Sequence, residues 1–259
     1  GTVATRPTFT MNDASAIVVN NSGDNATATR LYGIRASNFG DEKYAPDIVL
    51  NGGSTVLLNA YGAASTAIGI FSEGVKTDVT LNGASAVHVT GYGLGSNGKY
   101  AGIYVAETSE TSDGVGTVTL NGGSQASVYL SGGNNVRASG IISYGTNDYA
   151  AKIVLNNSLV EVETIGGSNG TYKGIYVYGS EASVTLNGES NVNVQTEGAN
   201  SATGIFARGE NNTITVNDDS AITVRGDADH AIGIDVRGEG TQVVLNGNAL
   251  VNVGDYYDT

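Results

Sequence analysis

The sequence contains no cysteine and no tryptophan, and only 2 of its 259 residues are proline. Without cysteine the chain can form neither a disulfide framework nor a thiolate metal site. No run of 18 apolar residues occurs, so no segment has the character of a transmembrane helix. The first residues, "GTVATRPTF", lack the pattern of a signal peptide, and we expect a mature chain or an excised piece of one.

Positive charge is also scarce in this chain. Its 12 Lys and Arg residues stand against 25 Asp and Glu residues, which gives a net charge of −13. We expect this balance to repel polyanions such as nucleic acid, sulfated glycans or an anionic membrane. The surface must then owe its polarity mainly to asparagine, serine, threonine and glycine, and glycine alone accounts for 38 residues.

Repetition is the feature that the sequence has in abundance. The stretch "VTLNGASAVHV", from Val79 to Val89, has seven close copies that align on an asparagine between an apolar residue and a short turn. Successive copies lie 29 to 39 residues apart, a spacing that predicts a stack of repeated supersecondary units. The aligned asparagines are Asn12, Asn51, Asn82, Asn121, Asn156, Asn187, Asn217 and Asn246.

Each repeat also carries a Gly-Ile pair, as in "GIYVYG" from Gly174 to Gly179. Three short runs with an apolar residue at every second position follow one another in each unit, which is the pattern of half-buried strands. Three strands in roughly 30 residues leave no room for crossover helices. The sequence therefore predicts an all-β protein, a right-handed single-stranded parallel β-helix (solenoid) of about seven three-strand coils. A sandwich or a barrel would instead need frequent hairpin turns and no constant unit.

The repeats extend over the whole sequence, so we expect residues 1–259 to form a single β-helix domain. The pattern begins before a second strand and stops after a third one, at Val253, with no polar capping segment. Because solenoids need such caps to stay soluble, we expect the chain to be a fragment of a longer rod.

The eight aligned asparagines are predicted to have a structural role. Each follows the last inward residue of a strand, where the chain must turn a corner, and asparagine tolerates left-handed backbone angles. Stacked asparagine amides can also hydrogen-bond from coil to coil. Serine recurs three residues after the asparagine in six of the eight copies and is predicted to face inward. We expect an asparagine ladder that binds no ligand.

Catalytic motifs are absent from the sequence. It contains no P-loop, no HExxH, no GxSxG and no calcium-binding GGxGxDx repeat. The adjacent acids Asp218 and Asp219 read as an acidic variant of the corner after Asn217, and His88 and His230 read as solvated residues, the latter in a loop. We predict no catalytic residue, no metal and no cofactor. A carboxylate pair assembled from different coils stays open, and with it a carbohydrate-active β-helix enzyme, either a lyase, a hydrolase or a tailspike-like protein.

The best candidate site is a stripe of large apolar residues beside the repeated isoleucines. The residue after each isoleucine points outward, as does the residue two positions later, and five consecutive repeats place a large group there. Such a stripe predicts contact with a sugar ring or with another copy of the protein. In the alternative interpretation, a loop that carries Tyr92, Tyr100 or Tyr172 covers the stripe. The stripe residues are Phe71, Tyr104, Ile142, Tyr144, Tyr176, Tyr178 and Phe206.

A weaker candidate is the tripeptide Arg225-Gly226-Asp227, which occurs once, in the predicted loop after a third strand. Arg-Gly-Asp can bind integrins when a turn displays it. Arg-Gly-Glu occurs twice in another corner of the repeat, starting at Arg208 and Arg237. The combination of arginine, glycine and an acid therefore also fits a local turn preference of this sequence.

The repeating "GIxxxG…VTLNGxSxVxV" coil, from Thr8 to Val253, resembles the passenger domain of Gram-negative autotransporters, in the pertactin and diffuse-adherence, self-associating adhesin group. The resemblance implies a secreted rod exported through the outer membrane and displayed on the cell surface. In such proteins a C-terminal membrane barrel anchors the rod, and residues 1–259 contain no segment that resembles it. The lack of cysteine fits a passenger that crosses the periplasm unfolded.

The resemblance also implies a function in adhesion and virulence. Members of the group attach to host cells or matrix, associate with themselves, and promote aggregation and biofilm growth. The expected partners are a host-surface glycan or matrix protein, or another copy of the chain on a neighbouring cell. Nucleic acid is not expected as a partner, and the rod itself is not expected to insert into the membrane.

Overall fold

The computed structural model describes residues 7–21, 30–37, 46–62, 65–108, 110 and 115–254, without the side chains of 146–148. Every regular element in this part of the chain is a β-strand, and 23 strands are present. The predicted all-β class is confirmed. Within the described ranges, no helix is long and apolar enough to cross a membrane.

The strands form three sheets, which we name A, B and C. Each sheet takes every third strand of the chain in sequence order, so three consecutive strands make one coil. Sheet A contains β1 (Thr8–Met11), β4 (Asp47–Leu50), β7 (Val79–Leu81), β10 (Thr117–Asn121), β13 (Lys152–Asn156), β16 (Ser183–Asn187), β19 (Thr213–Val216) and β22 (Gln242–Leu245). Sheet B contains β2 (Ala16–Asn21), β5 (Thr55–Tyr61), β8 (Ala86–Tyr92), β11 (Gln125–Ser131), β14 (Leu159–Ile165), β17 (Asn191–Thr196), β20 (Ala221–Gly226) and β23 (Leu250–Gly254). Sheet C contains β3 (Arg30–Ser37), β6 (Thr66–Gly74), β9 (Lys99–Glu107), β12 (Arg137–Tyr149), β15 (Gly170–Ser180), β18 (Ala199–Arg208) and β21 (His230–Arg237).

All pairings between neighbouring strands are parallel and place equivalent residues of successive repeats side by side. Leu81, Leu120 and Leu155 are register partners in sheet A, and Ile103 pairs with Ile141 in sheet C. Parallel strands in one sheet lie about 4.8 Å apart, so each column of equivalent residues runs along the axis of the rod. The predicted parallel β-helix with three strands in each coil is confirmed.

The interior of the rod contains two apolar clusters. The isoleucines of the Gly-Ile pairs and the inward residues of sheet A form the first cluster. The second lies between sheet B and the beginning of the sheet C strands, and it includes Tyr100 and Tyr172. Both tyrosines are almost fully buried, at 2% and 1% exposure. The two clusters flank the glycine of each Gly-Ile pair.

These glycines mark the place where sheet C approaches sheet B. A β-carbon on Gly69 would lie 2.2 Å from Cγ1 of Val87, and one on Gly174 would lie 2.3 Å from Cγ1 of Val192. Only glycine lets the backbone of sheet C come this close to the side chains of sheet B. Sheet C therefore packs closely on sheet B along this line.

The corner after each asparagine of the ladder uses left-handed backbone, but at a position other than the predicted one. The residues with positive φ are those that follow the asparagine, such as Gly52 (61°), Asn157 (51°) and Asp218 (59°). The expectation that the ladder asparagine itself adopts this conformation is wrong. The following residue makes the turn, and the asparagine keeps its side chain aligned for the ladder.

One connection between sheets C and A is held by a buried carboxylate. Glu107, at the end of β9, is fully buried, and its carboxylate accepts hydrogen bonds from the backbone N–H groups of Lys76, Thr77 and Gly116. These donors come from two successive coils. The carboxylate thus ties the connection before β7 to the connection before β10.

Candidate functional site

A groove of about 410 Å³ lies on the outer face of sheet C. It crosses β3, β6, β9, β12 and β15, and side chains from four outward columns line it. None of the lining residues is acidic.

The predicted stripe lies on this face. Phe71, Tyr104, Ile142, Tyr176 and Phe206 are register partners in one column, which continues to Asp235 on β21. Tyr144 and Tyr178 are partners in the next outward column. All seven stripe residues are half-buried. The structure therefore brings together every residue of the stripe, while their role in binding stays a prediction.

The rings of the stripe contact one another along the rod. The centroids of Phe71 and Tyr104 are 5.4 Å apart in an edge-to-face arrangement, and Tyr176 and Phe206 are related in the same way at 5.4 Å. Tyr144 and Tyr178 stack at 4.8 Å with an interplanar angle of 7°. These are favourable aromatic geometries, and they hold the rings in fixed orientations before any ligand arrives.

The three tyrosines that were alternatives for covering the stripe lie elsewhere. Tyr100 and Tyr172 are in the second apolar cluster inside the rod. Tyr92 lies on sheet B, where it stacks on Tyr61 with a centroid distance of 5.4 Å. The interpretation that one of these tyrosines folds over the stripe is wrong, because strand alternation directs two of them inward and the third to another sheet.

Sequence reasoning missed the positive charge on this face. Seven of the 12 Lys and Arg residues of the chain belong to the outer surface of sheet C. The described acidic side chains on the same surface are Glu73 and Asp235, and Asp235 forms an ion pair with Arg237 at 2.7 Å. The signal was invisible in the net charge, which sums over all faces of the rod. The seven cations are Arg30, Arg35, Lys99, Arg137, Lys173, Arg208 and Arg237.

Three of these cations form one wall of the groove. Arg30, Lys99 and Arg137 are exposed and occupy a single column, with Thr66 between the first two. Within the described part of the chain, the side chain of none of the three donates a hydrogen bond to a protein group or joins an ion pair. Their charges are therefore available to a ligand.

Lys173 in the groove and Arg35 on the same face of sheet C lie over aromatic rings. The Lys173 ammonium is 5.0 Å from the ring centroid of Tyr176, and the Arg35 guanidinium is 5.4 Å from that of Tyr32. Burial lowers the pKa of Lys173, and the nearby Arg137 and Arg237 add to the effect. Burial raises the pKa of Tyr104 to about 12, with smaller contributions from neighbouring groups. At neutral pH this phenol is therefore protonated and can both donate and accept hydrogen bonds.

A second hollow, of about 380 Å³, adjoins the cationic wall. Lys99, Arg137 and Thr171 line it together with three asparagines at the corner between sheets B and C, Asn97, Asn135 and Asn169. These asparagines come from three successive coils and all have positive φ, at 64°, 54° and 53°. The rim of the groove thus presents neutral amides next to the cations.

The asparagine ladder predicted from the repeats is continuous. In each step the side-chain N–H of one asparagine donates to Oδ1 of the asparagine in the preceding coil, at 2.7 to 2.9 Å. The repeated serine is buried, as expected, in five of its six copies, and Ser15 in the first copy is exposed. In five copies, Ser15 included, its hydroxyl donates to the backbone carbonyl of the ladder asparagine. The eight asparagines are occupied with one another, which agrees with a structural role.

The Arg-Gly-Asp tripeptide does not lie in a projecting loop. Arg225 and Gly226 are the last two residues of β20, so the expectation that a loop carries them is wrong. The carboxylate of Asp227 accepts a hydrogen bond from the backbone N–H of Gly198 in the preceding coil. The arginine is held in a strand and the aspartate bonds to the rod itself, so the geometry gives integrin binding no support.

The outer face of sheet B contains the other polar grouping. Glu161 and Glu163 are two residues apart on the outward side of β14, and Glu161 helps to line a hollow of about 260 Å³ with Asn193 and Arg225. Burial raises the pKa of Glu161, and the charge of Glu163 raises it further. The two carboxylates belong to one strand, whereas the pair that the sequence left open would be assembled from different coils.

The other residues considered for catalysis are the two histidines and the acidic corner after Asn217. The Nδ1 atom of His88 lies 2.6 Å from Oγ of Ser127, and His88 is half-buried rather than fully solvated. His230 is exposed but is the first residue of β21, so its expected place in a loop is wrong. The Asp218 carboxylate accepts from the backbone N–H of Gly188, as a corner residue would. The described residues include no cluster of three or more His, Asp or Glu that could hold a metal ion.

The chain was compared with known proteins at three levels. No protein-family model, no curated protein and no solved structure matches it.

Proposed function

We propose that this protein is an adhesive rod of the bacterial cell surface and that the groove on sheet C is its binding site for a glycan. The observation that carries the proposal is the column of ordered aromatic and aliphatic groups from Phe71 to Phe206, which five successive coils place on one outer face. Sugar rings present apolar faces that stack on aromatic side chains, and their hydroxyls need polar groups nearby. The groove offers both.

The stiffness of the rod favours this function. Each strand of sheet C is hydrogen-bonded to its neighbours and packed on a core, so the groove is formed before the ligand binds. Preorganisation reduces the entropy that binding would otherwise cost. A groove that continues over several coils also allows many weak contacts to act together.

The resemblance of the repeat to autotransporter passengers supports a location on the surface of a Gram-negative bacterium. A matrix protein and a second copy of the chain are further partners of an adhesin of this kind. The outer face of sheet A favours self-association, because it presents a column of uncharged side chains, from Thr80 and Thr119 to Thr185 and Thr215, next to the asparagine ladder. Aggregation and biofilm growth would follow from such pairing between cells.

The experiment that tests the glycan site is the double substitution Tyr104→Ser with Tyr176→Ser. Binding to a glycan array should fall by about tenfold or more, since each aromatic contact contributes about 0.5–1.5 kcal/mol beyond the area it buries. The matched control is Tyr61→Ser with Tyr92→Ser, which removes two exposed tyrosines from sheet B. Circular dichroism should show the same β signal in both variants. Equal binding by the two variants would exclude the groove as the site.

Sedimentation velocity over a concentration series tests the second mode. A dimer that forms as concentration rises would support self-association, and substitution of Thr119 and Thr185 by Lys should then abolish it. A chain that stays monomeric at the highest concentration would leave glycan binding as the proposed activity.

The alternative function is that of a carbohydrate-active enzyme, and the observation that favours it is the neighbouring carboxylates of Glu161 and Glu163, together with the raised pKa of Glu161. Glycoside hydrolysis uses two carboxylates, one of them protonated at the working pH. Release of reducing ends from a panel of polysaccharides, measured for the native chain and for Glu161→Gln, tests this alternative. Activity that disappears in the variant would replace the adhesin proposal with an enzyme.

A further inference from the structure

We infer that the glycan bound in the groove of sheet C is acidic, a polysaccharide that carries carboxylate or sulfate groups along its chain. The inference rests on the proposed function of the groove and names the class of its ligand. In this arrangement the anionic groups lie against the wall formed by Arg30, Lys99 and Arg137, and the sugar rings lie against Tyr104 and Tyr176.

The first observation behind this inference is the uneven distribution of charge over the faces of the rod. The protein has a net charge of −13, yet seven of its 12 cationic side chains are on the outer face of one sheet. Charges separated by more than the Debye length, about 8 Å at physiological ionic strength, are largely screened from one another. A ligand within the groove therefore experiences the cations that line it far more strongly than the acids on the other faces of the rod.

The second observation is that the cations of the wall have no ion-pair partner among the described residues. Arg237 has its own carboxylate in Asp235. In contrast, no described acidic side chain forms an ion pair with Arg30, Lys99 or Arg137. Surface cations in an acidic protein have many acids available as neighbours, and three unpaired cations in one column leave an uncompensated positive strip. Arginine supplies a planar fork that matches carboxylate and sulfate oxygens, and charge-assisted hydrogen bonds of this kind are the strong ones.

The register of sheet C fits a linear ligand. Lys99 and Arg137 lie on adjacent strands, about 4.8 Å apart along the axis, and Arg30 lies two strands before Lys99. The aromatic column runs parallel to this wall on the opposite side of the floor. A chain that follows the axis of the rod meets both columns over its whole length. Asn97, Asn135 and Asn169 at the rim can bond to its hydroxyls.

The same features argue against a nucleic acid as the ligand. Double-stranded DNA carries one charge per about 1.7 Å of helix axis, a density that the few cations of the groove would not neutralise. The groove offers at most one cation of the wall for each coil. A polysaccharide with one charge per sugar unit matches the groove more closely.

Titration with defined polymers tests the inference. The probes are polygalacturonate for the carboxylate class, dextran sulfate for the sulfate class, uncharged dextran, and single-stranded oligothymidylate, each measured by calorimetry at several salt concentrations. The variant is Lys99→Gln with Arg137→Gln. The control is Lys152→Gln with Arg225→Gln, which makes the same change in net charge on sheets A and B.

We expect the native chain to bind polygalacturonate or dextran sulfate, and the preferred polymer identifies the anionic group. The groove variant should lose about tenfold or more in affinity and show a shallower dependence of affinity on salt, since fewer counterions are released. The control variant should retain the native affinity. Retained binding in the groove variant, or an equal loss in both variants, would overturn the inference.

The design separates this inference from the proposed function. If anionic polymers do not bind but neutral glycans bind through Tyr104 and Tyr176, the acidic ligand is wrong and the adhesive groove stands. If no glycan of either kind binds, the proposed function fails with it. If oligothymidylate binds through Lys99 and Arg137 more tightly than either polysaccharide, the ligand class is wrong.

Discussion

At the residue scale, Asn121 shows what one position of the repeat contributes. Its side-chain N–H donates to Oδ1 of Asn82 at 2.8 Å, and its own Oδ1 accepts from Asn156 at 2.7 Å. We predict that Asn121→Ala lowers the free energy of unfolding by about 1–3 kcal/mol, because it removes two bonds and leaves partly buried groups unsatisfied. Urea denaturation followed by circular dichroism measures the loss. The control Asn193→Ala, on the outward side of β17, should cost much less, and a similar cost would show that the ladder adds no stability of its own.

Glu161 gives a prediction that depends on pH. Its pKa in the folded chain lies above the ordinary value of 4.5 because of burial and the nearby Glu163. An acid with a raised pKa destabilises the folded state when it is ionised, and this cost is absent below the unfolded pKa and complete above the folded one. We predict that Glu161→Gln stabilises the protein at neutral pH, by less than about 1 kcal/mol because the site is half open to solvent.

The stabilisation of Glu161→Gln should vanish at about pH 3.5, where the carboxyl is protonated in both states. Thermal unfolding of the native chain and the variant across this range is the measurement. Glu189→Gln, at an exposed corner, is the control and should change little at either pH. A stabilisation by Glu161→Gln that grows as the pH falls would contradict a raised pKa of Glu161 in the folded chain.

At the element scale, the close approach of each sheet C strand to its neighbours depends on the glycine before the isoleucine. In β15, a β-carbon on Gly174 would lie 2.3 Å from Cγ1 of Val192 and 2.7 Å from the backbone oxygen of Gly204. We predict that Gly174→Ala destabilises the rod by about 1–3 kcal/mol through overpacking. It should also weaken binding in the groove, because the strand can no longer approach sheet B. Gly254→Ala, where the added carbon meets no atom within 4 Å, is the matched control.

The elements were largely predictable from the sequence, and the groove was not. Alternation in runs such as "VTLN" and "SNVNV" depends only on local pattern, and the constant repeat fixed which residues pair. The groove depends on two facts that a single repeat does not reveal. One is the contact between Gly174 and Val192, which lies between strands of different sheets. The other is that cations scattered over six of the seven sheet C strands share one face, which the net charge of the chain does not reveal.

At the scale of the whole molecule, stability should depend on where a residue lies in the stack. Leu155 and Leu245 occupy the same column of sheet A, but Leu155 is fully buried whereas Leu245 is 50% exposed. We predict that Leu155→Ala costs about 2–5 kcal/mol, as for other buried leucines. Leu245→Ala should cost less than half as much. Urea denaturation of the two variants measures both losses of unfolding free energy. Equal losses would mean that the contribution of a coil to stability does not depend on how deeply its side chains are buried.

The asparagine ladder has a direction. In every step the amide N–H of the later coil donates to the carbonyl of the earlier one, so each asparagine has an acceptor on one side and a donor on the other. A duplicated coil, inserted in the same orientation, would find a hydrogen-bond acceptor in the coil before it and a hydrogen-bond donor in the coil after it. Deletion of a coil would bring together two coils whose asparagines can form the same hydrogen bond with each other. The gene can therefore lengthen or shorten the rod by whole repeats, and the reach of the protein can evolve while its cross-section stays the same.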